Sequence, residues 1–142
     1  MSLTLALAQG IIRDSLAHAR KAGFKPLAIV VLDQRSAVVA AASEDGVSLK
    51  RFEVARGKAS GALAFNVGSR KLGEMAVERP HFIVGAVHAV GGGLVPVAGG
   101  VLIKDAEGMV IGAAGVSGDN SDNDEAAAIA GITAAGLTAD GG

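Results

Sequence analysis

The stretch "VLIKDAEGMVIGAAGVSGDNSDNDE", Val101 to Glu125, decides the fold. "VLIK" and "MVIGAAGV" are apolar runs of strand length, and "DAEG" separates them. Gly108 stands where a tight connection needs a positive φ, so the two runs predict a β-hairpin. The remainder, "GVSGDNSDNDE", sets four acids within seven positions, directly before an alanine-rich run. A buried strand therefore passes into a helix, expected from Ser121 to Gly136.

That junction can be read in three ways. A calcium loop of the EF-hand type needs glycine at its sixth position and glutamate at its twelfth. Counted from Asp119, those positions hold Asp124 and Ala130, so the pattern fails. A helix start explains most of the acids. Ser121 with Asp124 spells a capping box, Asp122 with Glu125 a second register, and first-turn carboxylates suit the positive end of the helix dipole. Gly115 and Gly118, which precede the cap, leave room for a third reading. Backbone N–H groups there can face a ligand, with Gly118 and Asp119 as binding positions and Asp124 and Glu125 as acid/base carboxylates.

Working outward, Leu3 to Ala22 carries apolar residues at helical spacing (Leu5, Ala8, Ile12, Leu16, Ala19), and Gly23 ends the run. "PLAIVVLD" and "SAVVAAAS", joined by "QR", predict an antiparallel hairpin covered on both faces. Helices are expected over Ser48 to Val67 and Ser69 to Val77, with Ser69 as an N-cap. The stretch from His81 to Gly93 fits no single element, and "GLVPVA" looks like a short strand. The predicted order is helix, two strands, two helices, three strands, helix. Hairpin connections imply an antiparallel sheet with helices on both faces, an α+β three-layer domain spanning residues 1–142.

Composition narrows the function. The formal charge is −1 and there is no basic stripe, which argues against a nucleic-acid partner. The absence of cysteine excludes disulfides and thiolate chemistry. No apolar run approaches the ~20 residues of a membrane span, and "MSLTLALAQGII" lacks a basic leader. A cytoplasmic protein without a membrane partner is expected. With four phenylalanines as the only aromatics and 21 glycines, the core must be built from small and aliphatic side chains at close backbone approach.

Lys58 is the most informative single residue. It shares a helical stripe with Val54, Gly61 and Phe65, and its neighbours Ala55, Ala59 and Ala62 are small. The stem either snorkels outward or sits in a lined pocket, where desolvation would depress its pKa. Arg51 and Arg70 could clamp a carboxylate through their fork geometry, and "NVGSRK" adds Asn66 and Ser69 to the ligand-binding candidates. His18 follows Asp14 by one helical turn. His81 and His88 are too far apart in sequence for a metal-binding pair on one turn, and the triglycine at Gly91 to Gly93 reads as a flexible loop at a pocket mouth or subunit contact. The small-residue stripe Ala127, Ala130, Gly131, Ala134 and Ala135 permits close helix packing, so a homo-oligomer is expected.

Four segments together resemble the GlcG/HbpS family of small haem-associated domains, also found as the C-terminal part of PduO-type proteins. They are "VVLDQRSAVVAA", "ARGKASGALAF", "LVPVAGGVLIKDAEGMVIGAAGVSGDNSDNDE" and the alanine-rich tail. The resemblance implies a profilin-like α/β/α sandwich with a five-stranded antiparallel sheet, and assembly into oligomers. It also implies binding of a small ligand, haem or a related tetrapyrrole, with His18 in the place of an iron ligand on the first helix. The alternative is a lyase or isomerase acting on a small organic acid. Lys58, Asp124 and Glu125 would then react, and Arg51 or Arg70 would hold the carboxylate. A third is a structural oligomer.

Overall fold

The computed structural model describes all 142 residues. The elements are α1 (Leu5–Ala22), β1 (Ala28–Asp33), β2 (Val38–Ser43), α2 (Arg51–Phe65), α3 (Ser69–Glu78), α4 (Pro80–Ala89), β3 (Gly100–Lys104), β4 (Val110–Ser117), α5 (Ser121–Ala134) and β5 (Thr138–Asp140). Five strands form one antiparallel sheet in the order β2-β1-β4-β3-β5. Helices α1 and α5 cover one face and α2 covers the other. The architecture is the expected three-layer α/β/α sandwich.

Strand β1 shows why the layers form. Its run of branched aliphatics is buried on both sides. Ile29 and Val31 join Ile11, Ile103 and Ile132 beneath α1 and α5, while Val30 and Leu32 join Ala55, Ala59 and Leu102 beneath α2. Alternation sends successive side chains to opposite cores. On the α2 side the sheet is paved with glycine. A Cβ on Gly115 would stand 2.0 Å from the Ala55 carbonyl oxygen, and one on Gly100 would stand 2.2 Å from that of Lys58. The helix backbone therefore rests directly on the strands.

Three expectations need correction. "GLVPVA" is not a strand: the Val95 N–H donates to the Gly57 carbonyl at 3.1 Å and Pro96 has no N–H, so the segment lies across α2 instead of joining the sheet. The fifth strand is β5, which pairs with β3. The unassigned stretch contains α4, begun by Pro80 in the first turn, where its missing N–H costs nothing. Strand β2 is an edge strand with partly exposed residues, so only β1 of that hairpin is covered on both faces.

The local stop and start signals behave more simply. Gly23 at φ 74° caps α1, and Gly108 at φ 80° closes the β3–β4 turn. The α1 stripe is shifted: Leu5 is exposed, while Ile11 and Ser15 are buried with Ala8, Ile12 and Ala19. No helix is long and apolar enough to cross a membrane.

Candidate functional site

Helix α2 presents Lys58 to the sheet, and the glycines at the start of β3 leave a channel for its stem. The amine reaches the point where β4 passes into α5. There it donates to the Val116 carbonyl at 2.9 Å and to Asp124 Oδ2 at 3.1 Å. Asp124 Oδ1 accepts the Asp119 N–H at 2.9 Å. Both ends are closed to solvent, with side-chain exposures of 2% for Lys58 and 1% for Asp124.

The electrostatics follow from that burial. Desolvation pushes the Lys58 amine below its ordinary range, against the opposing pull of Asp124, and Arg51 lowers it further. Desolvation pushes the Asp124 carboxyl up, against the pull of Lys58. Each group thus moves toward its neutral form, the response expected of charges taken out of water.

A second polar layer surrounds this pair. Arg51 donates to Ser117 Oγ at 3.1 Å and to Ser48 Oγ at 3.3 Å. Arg70 donates to both oxygens of Glu125, at 3.1 Å to Oε2, and to Asp122. Those two acids raise the pKa of its guanidinium further. Asp119 accepts from the Lys25 N–H at 2.7 Å, the Asn120 N–H at 2.6 Å and Asn123 Nδ2 at 3.0 Å. These donors, led by Lys25, hold its carboxyl below the usual range. Gly118 packs against the Pro26 carbonyl oxygen, 2.1 Å from where a Cβ would stand. Asp119 and Gly118 thus tie the entry of β1 to the start of α5.

The structure therefore gathers Lys58, Asp124, Arg51, Glu125, Arg70, Gly118 and Asp119 around one strand–helix junction. It does not bring Asn66 there. Asn66 caps α2 in a left-handed conformation and lines a shallow depression with Gln34 and Met109. Ser69 is the first residue of α3 rather than its cap, and its hydroxyl accepts the Gly100 N–H at 2.7 Å. The capping register of α5 is also one residue earlier than expected. Asn120 accepts the Asn123 N–H at 2.8 Å, which frees Asp124 to turn inward.

His18 is not among the junction residues: it is exposed near the end of α1, in the same layer as α5 but outside the junction. Its ring meets Phe24 edge-on, with centroids 5.8 Å apart. Asp14, the partner expected one turn away, pairs with Arg13 instead. His81 and His88 are exposed on α4, and no group of three His, Cys, Asp or Glu side chains converges as a metal site. The small-residue stripe of α5 has an internal partner: Gly131 lies against Ser15 and Ile11 of α1.

Sequence reasoning missed the Phe24 contact, because an aromatic residue just past a helix end gives no periodic signal. The triglycine, expected at a pocket mouth or subunit contact, does rim a cleft on the outer side of α2, whose other lining residues gave no signal in the sequence.

The family model described as "Haem degrading protein HbpS-like" matches residues 3–133. Among solved structures, HbpS is 27% identical at a TM-score of 0.80, with 94% of this chain and 90% of that one covered. A PduOC–haem complex is 21% identical at a TM-score of 0.85, covering 96% and 97%. The Klebsiella pneumoniae protein ORFY is 21% identical at 0.85, covering 94% and 90%. At 21% identity the last two speak to the fold alone. No protein of curated function matches this chain in sequence.

Proposed function

The chain belongs to the HbpS-like family of haem degrading proteins, and from that premise we propose that it binds haem or a related tetrapyrrole, with His18 meeting the iron. The observation that carries this reading is the exposed imidazole on α1, set beside the Phe24 ring and free of the carboxylate that could have engaged it. Lys21 and Lys25, both exposed near the same end of α1, offer charge to the propionates. Bound haem would supply a redox-active iron, and the chain an imidazole nitrogen and one aromatic edge. One helix face covers one side of a porphyrin. The homo-oligomer expected from the sequence would bring a second chain to the other side.

The test is a titration with ferric haem followed by absorbance. A saturable Soret shift is expected for the unaltered chain and is lost in His18→Ala. An unchanged spectrum in that variant removes His18 from the role.

The enzymatic reading, a lyase or isomerase acting on a small organic acid, keeps one favourable observation. Burial drives Lys58 down and Asp124 up, which brings an amine and a carboxyl toward proton exchange. It ranks second because the same burial keeps substrate out and because Glu125 and Asp122 already occupy the Arg70 fork. The pair Lys58→Met with Asp124→Asn separates the two readings: turnover disappears under the second, whereas haem binding persists under the first.

A further inference from the structure

The outer side of α2 carries a cleft of about 510 Å³, within the size range of small-molecule sites. It is lined by Ser36 from the β1–β2 turn, by Glu53, Arg56 and Ser60 of α2, and by the Gly91–Gly93 loop that follows α4. A second depression continues it, sharing Ser36, Ser60, Gly92 and Gly93. None of these residues belongs to the Lys58–Asp124 junction or to the His18 face.

The far wall is fixed by two notches in α2. A Cβ on Gly57 would stand 2.6 Å from Val95 Cγ2, and one on Gly61 would stand 2.9 Å from Leu94 Cγ, so only glycine admits the loop this close. The Val95 N–H bonds to the Gly57 carbonyl, and the Ser60 hydroxyl donates to the Gly93 carbonyl. The loop is thus held in place before any ligand arrives, which lowers the entropic cost of binding.

The chemistry of the lining is amphoteric. The N–H groups of Gly91 and Gly92 are taken by the His88 and Val87 carbonyls, but that of Gly93 has no acceptor in the chain. Arg56 and Glu53 lie one turn apart on the same helix, and neither forms an ion pair. Arg35, in the adjoining depression, is already held by Asp33 at 2.9 Å. The cleft therefore offers one unengaged cation, one unengaged carboxylate and one unpaired amide donor.

We propose that this cleft binds a free α-amino acid. Arg56 and the Gly93 amide receive the carboxylate, and Glu53 receives the ammonium group. A zwitterion is the ligand whose opposite charges, two bonds apart, match opposite charges that do not neutralise each other. Ser36 and Ser60 supply further polar contacts.

The experiment is an amide-resolved NMR titration of the isotope-labelled chain with L-serine and L-phenylalanine, with propionate and ethylamine as controls. Saturable shifts at Ser60, Gly93 and Leu94 are expected at roughly millimolar concentration, the range open to a ligand held by a few polar contacts. Each control should bind about tenfold more weakly, since each lacks one charge-assisted contact. Arg56→Gln, at an exposed position, should weaken the amino acid by about tenfold, and Glu53→Gln should erase its advantage over propionate. The proposal is overturned by the absence of saturable shifts with both amino acids, by an equal response to propionate, or by an unaltered response in Arg56→Gln. Shifts confined to α1 around His18 overturn it as well.

Discussion

Lys58 and Asp124 are each too deeply buried to carry a charge alone, and each is the other's reason for carrying one. Removing one partner should cost far more than removing both charges. Lys58→Met leaves a carboxylate in the interior, for which a loss of about 3–5 kcal/mol is typical. Adding Asp124→Asn, which keeps an oxygen for the Asp119 N–H, should restore most of that loss in a denaturant melt. The single variant should also recover as the pH falls, because an unpaired buried Asp124 takes up a proton before the unfolded chain does. A loss that is independent of pH would place the defect elsewhere. Sequence made Lys58 conspicuous, since an amine among alanines and glycines needs an explanation. The space those small residues leave, however, is filled by sheet backbone, and no spacing rule reveals that. The same limit explains the slip at the start of α5, where Asn120 and Ser121 are equally good caps and only the inward turn of Asp124 selects between them.

At the scale of elements, α1 and α5 cross where Ser15 and Gly131 touch. A Cβ at position 131 would stand 2.1 Å from Ser15 Oγ and 2.3 Å from the Ile11 carbonyl oxygen. Gly131→Ala should therefore destabilise the chain by about 1–3 kcal/mol despite its better helix propensity. Trimming Ser15 to alanine should not rescue it, because the Ile11 backbone remains. Gly85 in α4 is the control: nothing lies within 4 Å of its Cβ position, so Gly85→Ala should stabilise by about 0.5–1 kcal/mol. Thermal melts of the two variants should move in opposite directions. The helices and the β3–β4 hairpin were legible because periodicity, Gly23 and Gly108 agreed with one another. "GLVPVA" was not, since its apolar content suits an extended segment whether it pairs with a strand or lies on a helix. The three-residue β5 is too short to leave any pattern.

Across the whole molecule, four carboxylates set the response to acid. The Arg35 side chain holds Asp33 low, the Met109 N–H holds Asp105 low, the Lys25 N–H holds Asp119 low and the Lys104 side chain holds Asp140 low. A carboxyl depressed in the folded chain stabilises it above the unfolded pKa, near 3.9 for aspartate, and that contribution is lost as pH falls through the folded value. Asp124, raised by burial, acts with the opposite sign and softens the transition. The melting temperature should therefore fall steeply below about pH 4, and a flat profile between pH 5 and 3 would contradict these assignments. The contact between α2 and the sheet has a consequence for descent as well as for stability. A lineage can exchange the amine and its acid together and still fold, but at Gly100 and Gly115 every alternative amino acid brings an atom into main chain that cannot step aside. Saturation mutagenesis with selection for soluble protein should find those two sites almost frozen, while Gly85 drifts.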